Sequence, residues 1–147
     1  MRERTNAQTL ALVFGIAFLA AGILGFVPGI TSNYDELEFA GADSNAELLG
    51  LFQVSVLHNI VHAVFGIAGL ALAKTWASAQ LYLLGSGVVY VVLIVYGIFF
   101  GGEGDANFVP VNNADTYVLH VVLAAGLLAS WAATRRERDR TVRTSTA

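Results

Sequence analysis

The stretch QLYLLGSGVVYVVLIVYGIFF, Gln80–Phe100, decides the fold, because it is long, apolar and free of charged side chains. An α-helix rises about 1.5 Å per residue, so roughly 20 apolar residues cross a hydrocarbon core of about 30 Å. A single charge at the centre of such a helix would raise the free energy of insertion by roughly 2.5–3.5 kcal/mol. The stretch therefore predicts a transmembrane helix.

Three further apolar runs, also free of Lys, Arg, Asp and Glu, are Leu10–Ile30, Leu48–Ala73 and Tyr117–Ala133. The whole chain is 56% hydrophobic and 13% charged, about half the charged fraction of roughly 25% that is usual in soluble domains. We predict an all-α integral membrane protein. Its four-helix bundle forms one domain over residues 1–134, followed by a basic tail over residues 135–147.

The distribution of charge predicts the orientation of the helices. Basic residues lie before the first run (Arg2, Arg4), between the second and third runs (Lys74) and in the tail, whereas the connections 31–47 and 101–116 carry only acidic charges. Basic segments stay on the cytoplasmic side of a membrane. We therefore expect a multi-pass protein of a prokaryotic plasma membrane with both termini in the cytoplasm (N-in/C-in).

The lengths and compositions of the connections also predict local structure. The two acidic connections are rich in Gly, Asn, Asp and Ser, which predicts irregular loops. The inner connection, at about residues 74–79, is short, which predicts that the second and third helices pack closely as an antiparallel pair. The tripeptide Val56-Leu57-His58 recurs as Val118-Leu119-His120, which suggests two pseudo-repeated helical hairpins related by an axis along the membrane normal.

His58, His62 and His120 are all the histidines of the chain, and all lie within predicted membrane helices. Polar residues inside a membrane usually face the bundle interior and are functional hypotheses by default. Three imidazoles could ligate zinc, copper or iron, and two could ligate a haem. The same rings could relay protons, hydrogen-bond a quinone headgroup, or serve only in helix–helix hydrogen bonds. The residues leave these alternatives open, and the cofactor is unknown.

Two other polar residues are candidates for a site, Asn59 and Asp115. Asn59 lies on a stripe of the second helix that we expect to face other helices, and the stripe also contains Ser55, His62, Gly66, Gly69 and Ala73. Asp115 comes just before the fourth predicted helix, where it could support His120 or act as the N-cap. On the third helix, Tyr82, Ser86, Tyr90 and Gly97 share one face, which predicts packing with buried hydroxyl groups.

Glycines on the first helix predict close packing. Gly15, Gly22 and Gly29 recur every seven residues, with Gly25 beside them. Small residues let helix backbones approach closely, either within the bundle or between protomers of a homo-oligomer. The other expected partner is the lipid bilayer, since a net charge of -3 does not indicate a nucleic-acid partner.

Several motifs together resemble a known family. They are Leu49-Gly50-Leu51-Phe52, His58-Asn59-Ile60-Val61-His62 followed by Gly66-Ile67-Ala68-Gly69-Leu70, and Asn113-Ala114-Asp115 with Leu119-His120. In these the chain resembles the prokaryotic four-helix membrane family catalogued as domain of unknown function 4383, over about residues 11–133. The resemblance implies four transmembrane helices and supplies no established activity and no catalytic residues.

The motifs that the sequence lacks exclude several classes of function. The chain has no cysteine, which excludes disulfides, iron–sulfur clusters and thiolate chemistry. It also lacks a phosphate loop, paired catalytic carboxylates and a nucleophile–base pair, which favours a non-enzymatic protein, structural or accessory in the cell envelope. One alternative is a metal-, haem- or quinone-binding redox protein that uses the histidines. A second is a small oligomeric transporter or channel subunit, although the second helix carries only apolar residues after His62.

Overall fold

The computed structural model describes residues 4–41, 43–100 and 114–137, and only the backbone within residues 114–116. The described chain forms four helices: α1 (Asn6–Leu24), α2 (Val56–Leu72), α3 (Trp76–Phe100) and α4 (Ala114–Thr134). The predicted four-helix architecture is therefore confirmed. Three of the helices are long and apolar enough to cross a membrane, namely α1, α3 and the 117–134 part of α4, while α2 is apolar but shorter.

The structure differs from the prediction at the two helix ends that border the α1–α2 connection (residues 25–55). The first run was predicted to be helical to residue 30, but α1 ends at Leu24, four residues before Pro28. Proline disfavours the helical conformation in the residue before it. The second run was predicted to be helical from residue 48, but α2 begins only at Val56. Residues 48–55 were misassigned because a short apolar run looks the same in a strand and in a helix.

The α1–α2 connection contains a small antiparallel sheet with the strand order β1 (Thr31–Ser32), β2 (Glu47–Leu48) and β3 (Phe52–Gln53). A 3-10 turn, Tyr34–Glu36, follows β1. The prediction of an irregular loop is wrong for the parts of this connection that form the sheet and the 3-10 turn, whereas residues 37–41 and 43–46 form no helix or strand. Its side chains form a core of their own, in which Ala46, Leu48 and Val54 are buried. The second acidic connection, residues 101–113, lies outside the described residues.

The β2–β3 hairpin turns at Leu49 and Gly50, whose φ angles are 57° and 67°. Two consecutive positive φ angles are typical of a type I′ turn. Leu49 donates its backbone N–H to the carbonyl of Ile30 at 3.0 Å. Residues 49–51 are called the hairpin tip below.

The helices pack mainly as two pairs, α1 on α2 and α3 on α4. The short connection between α2 and α3 is confirmed, but the main partner of α2 is α1 rather than α3. Close approach explains this pairing, because Gly15 of α1 lies directly against Gly69 of α2. The two pairs are the hairpins that the predicted repeat would relate, and the repeat itself stays a prediction.

The ends of α1 and α2 are also joined by hydrogen bonds. Thr5 and Gln8 form a capping box at the start of α1, which satisfies amides that have no partner within the helix. The Gln8 side chain also donates from Nε2 to the carbonyls of Ala73 and Lys74, at 3.1 and 2.8 Å. The beginning of α1 is thereby fixed to the end of α2.

Candidate functional site

The interface between α1 and α2 brings the two backbones into contact. A Cβ atom added at Gly22 would lie 2.6 Å from the backbone nitrogen of Ala63 and 2.7 Å from the carbonyl oxygen of Asn59. Gly25 lies against the side-chain amide of Asn59 in the same way. The predicted glycine seam is thus used within the bundle. Gly29 is not part of it, because it follows the end of α1 and lies in a turn with φ of 90°.

The polar stripe of α2 faces the other helices, as predicted. Its buried members are Ser55, Asn59, Gly66, Gly69 and Ala73, and Asn59 is only 1% exposed. His62 is partly buried on the same stripe. The stripe therefore places Asn59 and His62 inside the bundle, within the first two turns of α2.

The hydrogen bonds of His62 place a hydrogen on Nδ1 of its ring. Nδ1 lies 3.0 Å from the backbone carbonyl of His58, one turn earlier. A carbonyl only accepts, so Nδ1 carries a hydrogen, and in the neutral ring Nε2 then presents its lone pair. The hydroxyl of Tyr90 lies 3.3 Å from Nε2 and donates to it. Both ring nitrogens of His62 thus have a hydrogen-bond partner.

Aromatic rings from all four helices meet around this pair. Phe18 of α1 stacks on Tyr90 of α3, with ring centroids 5.6 Å apart and planes at 9°, and contacts His62 edge-on at 5.7 Å. His120 of α4 lies 5.3 Å from the Tyr90 ring, and His58 lies 4.1 Å from His62. These five residues, Phe18, His58, His62, Tyr90 and His120, are called the aromatic cluster below.

The aromatic cluster contains all three histidines predicted as metal ligands. Within residues 4–41, 43–100 and 114–137, no group of three or more His, Cys, Asp or Glu side chains is arranged to hold a metal ion. The rings of His58 and His62 are also too close together to bind the two faces of one haem. The three-histidine metal site stays a prediction, and it would require these rings to move.

Within the described residues, two buried polar atoms at this site have no hydrogen-bond partner: Nδ1 of His58 in the aromatic cluster and Nδ2 of the neighbouring Asn59. A buried polar group without a partner costs free energy, so such atoms often mark a bound water or ligand. The fifth predicted residue, Asp115, is the second residue of α4 rather than the residue before the helix. Its side chain lies outside the described residues.

Sequence reasoning did not identify Phe18 as part of the site and assigned Tyr90 only to packing. A signal for Tyr90 was present, because it shares a helix face with Tyr82, Ser86 and Gly97, and all four residues are buried. Phe18 carried no such signal, since nothing distinguishes it from the other apolar residues of α1. Its role depends on how α1 packs against α2 and α3.

Comparison with protein families identifies the class of protein that this fold and site represent. The family model described as a domain of unknown function (DUF4383) matches residues 8–132. The chain belongs to this family, which confirms the resemblance seen in the sequence. Neither the curated proteins nor the solved structures gave a match.

Proposed function

We propose that this chain is a multi-pass protein of a prokaryotic plasma membrane, with both termini in the cytoplasm, that serves as a structural or accessory component of the cell envelope. The observation that carries membrane insertion is the exposure of large apolar side chains on every helix. Ile16, Val64, Val92 and Val122, one from each helix, are 57–60% exposed. Such extensive apolar surface is rare on soluble monomers and is expected where lipid covers it.

The interior of the bundle supports a structural role. α1 and α2 are in backbone contact along Gly15 and Gly22, and an apolar core joins all four helices. A transporter or channel would need a polar route toward the inner face, but the buried residues beyond His62 are Gly66 and Gly69 of α2 and Ala73 just after it. A homo-oligomer, which also stays a prediction, would need a surface other than the Gly15–Gly22 seam.

Polar contacts at the opposite end of the bundle from the sheet also support this role. The indole N–H of Trp76 donates to the carbonyl of Thr134 at 3.1 Å. The buried side chain of Gln80 donates to the Thr134 hydroxyl at 2.5 Å. These bonds join α3 to α4 next to the basic segments, at the end that the proposed topology places in the cytoplasm.

The proposed topology is testable because the chain has no native cysteine. Asn45 and Ala77 are both exposed, and they lie in the α1–α2 connection and near the start of α3. In intact cells, a membrane-impermeant maleimide should label Asn45→Cys, and should label Ala77→Cys only after the membrane is opened. The reverse labelling pattern would contradict the N-in/C-in topology.

The proposed envelope role can be tested by deleting the gene and measuring uptake of an impermeant dye. Uptake should rise in the deletion strain and return to normal with the wild-type chain. It should also return to normal with a His58→Leu, His62→Phe, His120→Phe triple variant, present in the membrane at a matched level. If the wild-type chain restores normal uptake and the variant does not, the histidines have a chemical role. If deletion leaves dye uptake unchanged, the envelope role is wrong.

A second candidate function is binding of a quinone headgroup at the aromatic cluster. The buried Nδ2 of Asn59 and Nδ1 of His58 favour it. An amide N–H is a donor rather than a metal ligand, so the pair suits a neutral ligand with carbonyl acceptors better than a metal ion. A quinone has two such carbonyls and dissolves in the membrane.

The second candidate is tested on the purified protein by extracting and quantifying bound quinone, together with an absorption spectrum and elemental analysis. Near-stoichiometric quinone, lost in the triple histidine variant, would support the candidate. A Soret band or stoichiometric metal would instead support the haem or metal alternative. Protein without quinone, haem or metal would leave packing as the role of the histidines.

A further inference from the structure

We propose that the hairpin tip inserts into the lipid headgroup region beside the end of α1 and anchors the α1–α2 connection to the membrane surface. Leu49 and Leu51 carry the proposal, because they are 63% and 55% exposed. The small core of the connection is filled by Ala46, Leu48 and Val54 instead. The two tip leucines are therefore directed away from the protein.

The backbone at Leu49 is a second, independent observation. Leu49 has φ of 57°, in the left-handed region that L-residues other than Gly, Asn and Asp rarely adopt. The first position of a type I′ turn normally holds Asn, Asp or Gly. Leucine at this position has an unfavourable backbone conformation and is not compensated by burial within the protein. A contact of the side chain outside the protein would provide the compensation.

The register of the sheet places the tip at the end of the strands that adjoins Ile30. The backbone N–H of Leu49 bonds to the carbonyl of Ile30, six residues after the end of α1 at Leu24. At the other end of the same strand pair, Ser32 lies opposite Glu47, and the acidic turn containing Asp35 and Glu36 follows. The sheet is thus apolar at the end that contacts Ile30 and acidic at the end where β3 continues into α2.

Lipid is the occupant that fits this arrangement. Further exposed apolar side chains lie at the end of α1 and just after it, with Ile23 53% and Phe26 37% exposed. Exposed apolar side chains therefore continue along the chain from α1 toward Ile30, whose carbonyl is hydrogen-bonded to the tip. Apolar side chains at the end of a membrane helix commonly insert at the boundary between headgroups and acyl chains. The proposal rests on the proposed membrane insertion of α1 and α2, and does not depend on which side of the membrane the sheet faces.

The experiment measures the depth of a nitroxide spin label in the full-length protein, reconstituted in phosphatidylcholine vesicles. Single cysteines replace Leu49 or Leu51 in the tip, Val64 on the exposed face of α2 and Asp35 in the 3-10 turn. Collision rates with oxygen, which concentrates in lipid, are compared with those for a water-soluble nickel chelate. Labels at 49 and 51 should show a several-fold higher oxygen-to-nickel ratio than the label at 35, though lower than the label at 64.

The outcomes separate the tip from the membrane protein as a whole. A lipid-like label at 64 with water-like labels at both 49 and 51 would overturn the tip proposal and leave membrane insertion intact. A water-like label at 64 would overturn membrane insertion itself. Labels at 49 and 51 that are shielded from both reagents would mean that protein covers the tip, which would overturn lipid as its occupant.

Discussion

The hydroxyl of Tyr90 on α3 donates a 3.3 Å hydrogen bond to Nε2 of His62 on α2, and so joins the two helix pairs inside the bundle. Tyr90→Phe should remove this bond and keep the ring that stacks on Phe18. A hydrogen bond contributes about 0.5–1.5 kcal/mol net, so we expect the free energy of unfolding in mixed micelles to fall by a similar amount. A double-mutant cycle with His62→Phe isolates the pair, and a coupling energy near zero would contradict the bond.

Gly22→Ala should destabilise the protein, because its Cβ would lie 2.6 Å from the backbone of Ala63 and the two helices would have to separate. Overpacking of this kind costs about 1–3 kcal/mol. Gly85→Ala on α3 is the matched control, since a Cβ there meets nothing within 4 Å and alanine favours a helix. Thermal unfolding in detergent checks both variants. Equal effects would mean that α1 and α2 are not in backbone contact.

Leu49→Gly should stabilise the detergent-solubilised protein while weakening contact of the tip with lipid. Glycine adopts the φ of 57° without the penalty of roughly 1–2 kcal/mol that a left-handed conformation imposes on other residues. Leu51→Gly is the control, because its φ is not positive and the substitution brings no such relief. Chemical denaturation in micelles compares the two. A loss of stability in Leu49→Gly equal to that of the control would contradict the strained turn.

Ser44→Ala should loosen the α1–α2 connection. The fully buried Ser44 hydroxyl donates to the carbonyl of Val54 at 2.6 Å and accepts from the backbone N–H of Glu38 at 3.2 Å. Losing it leaves both backbone groups without this partner, at a cost of about 1–3 kcal/mol. Hydrogen exchange should become faster at the N–H of Glu38 and through the sheet. Ser32→Ala, at an exposed position, should leave exchange unchanged, and an equal change in both variants would count against the role of Ser44.

The four helices were predictable because each segment that crosses lipid must be apolar and must pair its own backbone hydrogen-bonding groups. A run such as Gln80–Phe100 meets both requirements without help from the rest of the chain. The start of α2 was not predictable in this way. Leu48 and Val54 are as apolar as the helix that follows, but they fill the small core beneath the sheet. Hydrophobicity alone does not distinguish a residue in this small core from a residue in a membrane helix.

The site was predictable within one helix and not between helices. The spacing of His58 and His62 is enough to place them on one face of α2, and the structure brings them together. The choice of Tyr90 as the partner of His62 depends on tertiary packing, in which α2 lies mainly on α1 and meets α3 at few positions. No local pattern in the sequence contains that information.

The pairing of α1 with α2 also bears on the order of events during synthesis. Contacts such as those of Gly15 and Gly22 with Gly69 and Ala63 lie entirely within the first 72 residues. This hairpin can therefore assemble in the membrane before α4 has been inserted. The aromatic cluster needs Tyr90 and His120 as well, so it is completed only when α4 is inserted. A nascent chain long enough for α2 to have left the ribosome should already contain a packed helical hairpin, whereas the contact between Tyr90 and His120 should form only in the finished protein.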